Sequence, residues 1–260
     1  IQAELVRQPK RGERELALRA GKPAQQKLNT LLRKKLDAMT ESAQALSFRD
    51  YGELVEKTSG LVSENTAEAA KAFLADTEYA SKDILTWFLA RRLDLKRSQA
   101  EEHDLTFLLN SGELKGNFPK RDMLSFSRPL LEASGLTPEG GITYDSERRT
   151  DKISDGFAIP LDPPVKTGLS IYPVGSVRDY EHFFGSLGRA LSFMFTERED
   201  YLEFRWLRDS SMEAVFDSLF RDLVHEPKWL TKYLRIEEGG DFRRFLALRR
   251  LMSARYLAGL

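Results

Sequence analysis

Apolar residues recur at helical spacing along most of this chain, most clearly between about 177 and 198. There they return every three or four residues, which is typical of a helix with one buried face. The residues of this face are Phe183, Phe184, Leu187, Leu191, Met194 and Phe195. We call this segment the central helix. Its remaining face carries Gly185 and Arg189, which lie one above the other because they are four residues apart.

The first half of the chain predicts more helices of the same kind. Gly21 and Pro23 are expected to break the charged helix before them, and an apolar stripe follows at helical spacing. The stripe consists of Leu28, Leu31, Leu32, Leu36 and Met39. Ser47 and Asp50 supply cap chemistry for the next helix, and Gly60 is expected to end it.

The composition changes between Thr137 and Gly175, where five prolines and five glycines surround short runs of β-prone residues. The runs cover 142–144, 156–159 and 169–172, and they predict a small sheet within about 140–175, just before the central helix. Helices are predicted again at about 211–224, 228–235 and 241–258. The predicted fold is therefore mainly helical, in the α+β class.

Charge and composition narrow the classes of function. Forty basic and forty acidic residues give a formal net charge of zero, which argues against bulk attraction to nucleic acid or to a membrane surface. A basic group in the first half is interleaved with acidic residues, so we interpret it as a solvated helix face; nucleic-acid binding there would show strong salt dependence. This group is Arg91, Arg92, Lys96 and Arg97. The chain has no cysteine, which excludes disulfides and thiolate metal sites.

Targeting signals are not visible in the sequence. No apolar run is long enough for a membrane span, and no apolar segment near the start predicts a signal peptide. We therefore expect a cytoplasmic location, and the sequence does not predict an oligomeric state.

Five residues of the central helix, 185–189, stand in the frame of a zinc-peptidase motif. In the pattern H-E-x-x-H, two histidines four residues apart bind zinc, and the glutamate between them takes a proton from the bound water. Here those three positions are Gly185, Ser186 and Arg189. Glycine has no donor, serine is a poor base, and arginine carries a permanent charge that repels a cation. We predict no metal or other cofactor at this slot.

The residues around the slot resemble the active-site helix of the thimet oligopeptidase and oligoendopeptidase F family of zinc peptidases. The resemblance is carried by Asp179-Tyr180-x-x-Phe183-Phe184 before the slot and by Ala190-Leu191 after it. Flanking stretches are also similar, namely Arg149-x-x-Lys152 with Gly156-Phe157-Ala158-Ile159-Pro160, the segment 207–214, and the segment 245–256. The likeness is clearest over about 140–260 and weaker over the first half.

This resemblance implies a zincin-like peptidase fold and a third metal ligand, a glutamate, on the helix that begins near 210. In our alignment that position is Ala214, so Gly185, Ser186, Arg189 and Ala214 are all vestigial positions. The resemblance thus implies a degenerate member without catalytic residues, either a fragment or a shortened form, since the family's substrate loop would follow residue 260. On this basis 1–115 is a helical N-terminal portion and 116–260 a zincin-like core, together one continuous unit.

Four residues near the slot have both a functional and a structural interpretation. Glu213 is a candidate ligand, but Ser210-x-x-Glu213 has the spacing of a capping box, which we favour. His182 has no second histidine at ligand spacing and is interpreted as a packing or surface residue. Ser186 would need a positioned base to act as a nucleophile, and the sequence marks none. The proline two residues after His225 favours a helix terminus there rather than a metal motif.

Two predictions follow about the slot and its use. The Arg189 side chain is expected to fill the space of the absent zinc site, with Asp209 or Glu213 as its counter-charge. The preferred function is that of a noncatalytic peptide-binding, protein-binding or scaffolding protein. Peptide binding would use an edge strand within 156–172, to which an extended peptide can add. The alternative is an active metallopeptidase with unrecognised metal ligands, or a hydrolase of another kind.

Overall fold

The computed structural model describes most of the chain, as two compact units. The described residues are 8, 10–60, 63–110, 118–119, 123–137, 141–147, 149, 152, 155–173, 176–196, 201–206, 210–236 and 239–260. One unit comprises Ile1–Leu109 together with Ala247–Leu260, and the other comprises Asn110–Leu246. The division at 115 that we made from sequence did not include the return of the C-terminal residues to the first unit, because helical periodicity carries no information on long-range contacts.

The first unit is helical. Its helices are α1 (Arg11–Ala45), α2 (Tyr51–Ser59), α3 (Ser63–Asp76), α4 (Glu78–Leu93) and α5 (Glu102–Leu109), with a 3-10 turn at Arg97–Gln99. The predicted cap of α2 is present, since the Asp50 carboxylate accepts a hydrogen bond from the Glu53 N–H at 2.8 Å. Gly60 ends the same helix with a φ of 70°. Local sequence therefore sets both ends of α2.

Helix α1 differs from its prediction in two ways. It continues through Gly21 and Pro23, which we expected to break it. That prediction was wrong because one proline removes a single backbone hydrogen bond, and the remaining bonds of a long helix are retained. The apolar stripe on α1 is also largely exposed: the side chains of Leu28, Leu31, Leu32 and Leu36 have exposed fractions of 47–63%.

The second unit carries the sheet and the central helix. Its elements are α6 (Ser127–Ser134), β1 (Gly141–Asp145), β2 (Phe157–Asp162), β3 (Lys166–Ser170), α7 (Val177–Met194), α8 (Leu202–Trp206), α9 (Ser210–Arg221), a 3-10 turn (Asp222–His225), α10 (Pro227–Trp229) with a π-helical turn (Leu230–Leu234), and the start of α11 (Gly240–Gly259). The predicted fold class, mainly helical with a small sheet before the central helix, is confirmed. No helix in the described part of the chain is long and apolar enough to cross a membrane.

The three strands lie in the order β1-β3-β2, so β2 is an edge strand. Strand β1 pairs with β3 in parallel, and β2 pairs with β3 in antiparallel register, with Phe157 opposite Ser170. The ladder between β2 and β3 shifts between Pro160 and Asp162. A proline is tolerated in β2 because an edge strand needs backbone hydrogen bonds on only one side.

Helix α7 is the predicted central helix and forms the core of the second unit. Its start is capped by Ser176, whose hydroxyl accepts a hydrogen bond from the Asp179 N–H at 3.2 Å. Aromatic rings surround its apolar residues: Phe118 lies 5.2 Å from Tyr180, and Trp229 lies 5.1 Å from Phe184, between ring centroids. These rings fix α7 between the sheet and the C-terminal helices of the unit.

Two details of α7 were predicted incorrectly. Phe195, which we placed in the buried face, is the C-cap residue and 48% exposed. A single buried face was also too limited an expectation, because Gly185, Ser186 and Gly188 are buried as well. Their burial follows from the chain segments of β2 and α9 that pack on that side of the helix.

Candidate functional site

Three of the four vestigial positions lie together on α7, and the fourth does not join them. Gly185 and Ser186 are buried, and Arg189 is half-buried. Ala214, on α9, is exposed. The residue of α9 that faces Gly185 and Arg189 is Asp217, about one turn further along the helix.

An ion-pair cluster of one carboxylate and two guanidinium groups occupies this site. Arg189 Nε lies 2.8 Å from Asp217 Oδ2, and Arg221 Nη2 lies 2.6 Å from Asp217 Oδ1. Arg221 Nε also donates to Asp217 Oδ1 at 2.8 Å. The Asp217 side chain is 8% exposed, so its charge is buried and paired, as buried charges must be. We call these three residues the Arg-Asp-Arg cluster.

Among the described residues, the carboxylate that pairs with Arg189 is Asp217, which we did not predict. Glu213 is half-buried one turn before Asp217, and the structure pairs Arg189 with Asp217 instead. Asp209, the other expected partner, lies outside the described residues. Ser210 is the first residue of α9, and the residue before it is Asp209, which is not described. The capping box predicted for Ser210 and Glu213 therefore stays a prediction.

Two glycines of α7 allow α9 to approach closely. A β-carbon at position 188 would overlap the carbonyl oxygen of Phe216 and lie 2.7 Å from its carbonyl carbon. A β-carbon at position 185 would lie 2.8 Å from Arg221 Nη2 and 2.9 Å from Asp217 Oδ1. The Arg-Asp-Arg cluster thus stands directly over Gly185, in the space that a side chain at the first histidine position would use.

Ser186, at the position of the general base, is covered by the segment that leads into β2. Its side chain is 3% exposed, and a β-carbon at Gly156 would lie 3.1 Å from Ser186 Oγ and 3.2 Å from the carbonyl oxygen of His182. The backbone at Gly156 is therefore in contact with α7 at this point. A hydroxyl buried under backbone cannot reach a substrate, which argues against a nucleophilic role for Ser186.

These residues do not fit a catalytic zinc ion. Position 185 has no donor atom, position 189 is cationic, and the carboxylate that faces them, Asp217, is already paired with two guanidinium groups. A catalytic zinc ion takes three protein ligands, usually histidine nitrogens and carboxylate oxygens. Within the described ranges, no three His, Asp or Glu side chains are grouped so that they could hold a metal ion.

His182 lies beside the slot in a charged environment. Arg178 Nε lies 3.1 Å from His182 Nε2, and Asp155 Oδ1 lies 3.9 Å from His182 Nδ1. Burial, and secondarily the positive charge of Arg178, hold the pKa of His182 below its ordinary value. A neutral His182 can accept the hydrogen bond from Arg178, which is a packing role of the kind we expected.

His225 is a buried histidine of this unit, at the end of the 3-10 turn after α9. Its Nε2 lies 2.8 Å from Glu181 Oε1 on α7, and its Nδ1 lies 3.6 Å from Asp222 Oδ1. The pair links α7 to the chain after α9. The position agrees with the predicted helix terminus.

Sequence reasoning missed Asp217 and Arg221, which complete the site. They are four residues apart on one helix, so the only local signal is an acid and a base at i, i+4 spacing. Such pairs are common on exposed helix faces. Asp217 and Arg221 reach the slot through the contact between α7 and α9, which the two glycines permit. No local sequence pattern predicts this contact.

The comparison with known structures agrees with the predicted fold. The chain is similar to a solved structure described as PZ peptidase A with inhibitor 2, with a TM-score of 0.61 and 16% sequence identity. The match covers 98% of this chain and 47% of that chain, so this chain spans about half the length of that peptidase. The likeness confirms a metallopeptidase-like fold, and a likeness at this identity shows the fold alone. No family model and no curated protein matches the chain.

Proposed function

We propose that this protein is a noncatalytic relative of the thimet oligopeptidase and oligoendopeptidase F family, which binds peptides or proteins without cleaving them. The metallopeptidase-like fold supports the relationship. The observation that carries the proposal is the Arg-Asp-Arg cluster, because it fills the slot where the family's zinc site would lie.

Three requirements of metallopeptidase chemistry are unmet at this slot. The metal needs neutral or anionic donors, and the slot offers a glycine and an arginine at the histidine positions. The zinc-bound water needs a base, and Ser186 is both a poor base and buried beneath Gly156. The reacting carbonyl needs space near the metal, and Arg221 lies over Gly185 at contact distance.

Strand β2 is the surface that we propose for peptide binding. In the part of the chain that the structure describes, β2 pairs on one side only, so an extended peptide can add to its other edge. Alternate residues of β2 form an exposed apolar row: Phe157, Ile159 and Leu161 are 37%, 40% and 45% exposed. Alternation places Phe157 and Ile159 on one face. Leu161, at the register shift, lies on the same face, since both Ile159 and Leu161 are within 4 Å of where a β-carbon at Gly168 would stand. These side chains can contact a bound strand.

A paired assay of cleavage and binding tests this proposal. The protein is purified without chelator and incubated with internally quenched peptides, with and without added zinc, and the binding of the same peptides is followed by fluorescence anisotropy. We expect saturable binding and no increase in fluorescence from cleavage. Zinc-dependent cleavage that co-purifies with the protein through every column would contradict the proposal.

A further inference from the structure

We propose that the Arg-Asp-Arg cluster is a binding site for a peptide carboxylate. This inference rests on the proposed function. It identifies the chemical group of a bound peptide that the Arg-Asp-Arg cluster would recognise. The group is either a C-terminal carboxylate or an acidic side chain, which have the same chemistry and are separated by the experiment below.

The first reason is that the cluster has hydrogen-bond donors to spare. Each guanidinium group has five N–H donors, and Asp217 engages only Arg189 Nε and the Nε and Nη2 atoms of Arg221. In the part of the chain that the structure describes, both Nη atoms of Arg189 and the Nη1 atom of Arg221 have no hydrogen-bond acceptor. Two parallel N–H groups of one guanidinium match the two oxygens of a carboxylate.

The second reason is the charge balance. The two arginines carry two positive charges against the single negative charge of Asp217, which leaves one positive charge uncompensated within the cluster. Two other acids of this region already have partners: Glu181 contacts His225, and Asp155 contacts Arg178. Two guanidinium groups that contact the same carboxylate lie close together and repel each other, and the attraction of a second anion beside them would offset that repulsion.

The third reason is access from solvent. The side chains of Arg189 and Arg221 are 43% and 32% exposed, whereas the Asp217 side chain is 8% exposed. The carboxylate is therefore the buried member of the cluster, and the two arginines are its accessible members. A ligand that approaches the cluster from solvent therefore reaches the two cationic side chains before it reaches Asp217.

The experiment uses the full chain and three matched fluorescent tetra-alanine peptides: one with a free C-terminal carboxylate, one with a C-terminal amide, and one amidated peptide with a glutamate at the second position. We expect at least one acid-bearing peptide to bind about tenfold more tightly than the neutral amide, because a hydrogen-bonded charged group contributes roughly that factor. The preferred acid identifies the source of the carboxylate. Equal affinities for all three peptides, or no binding of any, would overturn the inference.

Three variants assign the preference to the cluster. R189Q is expected to abolish the discrimination between acid and amide, whereas R128Q removes an equal charge from α6 and is expected to retain it. Arg128 is a suitable control because its side chain is 88% exposed and its one ion pair among the described residues is with Glu132, at 3.9 Å. D217N removes the internal competitor for the guanidinium groups and is expected to tighten binding of the acid-bearing peptide. Loss of discrimination in R128Q, or weaker acid binding in folded D217N, would contradict the assignment.

The outcomes also separate this inference from the proposed function. Tight binding of all three peptides without cleavage supports a noncatalytic peptide-binding protein and refutes the carboxylate site. Preferential binding of the acid followed by its cleavage supports the carboxylate site and refutes the absence of catalysis.

Discussion

At the scale of single residues, Gly188 has the clearest structural requirement. A β-carbon at this position would overlap the backbone of Phe216, which belongs to a helix and cannot move by a simple side-chain rotation. Any larger residue must therefore push α9 away from α7. The Arg-Asp-Arg cluster depends on the same approach of the two helices.

We predict that G188A lowers the free energy of unfolding by at least about 2 kcal/mol, because overpacking between rigid elements forces backbone shifts. Urea unfolding followed by tryptophan fluorescence measures the change. G240A is the matched control, since nothing lies within 4 Å of a β-carbon there and α11 begins at this residue. Equal stability of G188A and the parent protein would show that α7 and α9 do not pack as closely as described.

His182 gives the second residue-scale prediction, a dependence of stability on pH. Its pKa in the folded protein lies below the ordinary value of 6.5, because burial and Arg178 disfavour the protonated form, with Arg221 adding to this and Asp155 and Glu181 opposing it. The unfolded chain therefore binds the proton more readily, so the contribution of His182 is present above about pH 6.5 and is lost as the pH falls toward the folded pKa. Unfolding free energies of the parent and H182Q, measured from about pH 8 to about pH 5, should converge as the pH falls. Parallel curves would rule out this role for His182.

The residue scale also shows where sequence reasoning stops. The slot positions Gly185, Ser186 and Arg189 were identified because the motif frame is local. The acid that faces them was not, because Asp217 reaches Arg189 only through the packing of α9 on α7, which depends on three-dimensional contact.

At the scale of elements, the sequence predicted those features that depend on neighbouring residues. The apolar period of α7, the Asp50 cap of α2 and the β-prone runs before α7 were all visible in the sequence. Signals that tertiary structure can override were less informative, as the continuation of α1 through Pro23 shows. The exposed leucine stripe of α1 is a second example. Periodicity predicts an amphipathic face, but it does not predict whether other parts of the structure cover that face.

Strand β2 carries the element-scale prediction. I159T keeps the branched shape suited to a strand but replaces exposed apolar surface with a hydroxyl, so we expect peptide affinity to fall about threefold through lost apolar contact. V215T is the control: it also replaces an exposed β-branched apolar residue with threonine, but on α9, where Val215 is 57% exposed. This variant should bind peptide like the parent. Anisotropy titrations of the same labelled peptide compare the three proteins. Unchanged affinity in I159T would remove the β2 edge from the proposed binding surface.

At the scale of the whole molecule, a peptidase-like fold is combined with a slot where the described residues form no group of three His, Asp or Glu side chains that could hold a metal ion. The chain matches nearly its full length to about half of a known peptidase, so the fold extends beyond the local motif from which we predicted it. The division into two units was not predictable, because the return of Ala247–Leu260 to the first unit is a long-range contact.

The most direct measurement is the zinc content of the purified protein. The protein is dialysed against buffered zinc, passed through a desalting column, and analysed by inductively coupled plasma mass spectrometry together with its protein concentration. We predict a zinc content near zero, because the cationic Arg189 and the paired Asp217 leave no adequate ligand set at the slot. One tightly held zinc ion per chain would contradict the central claim.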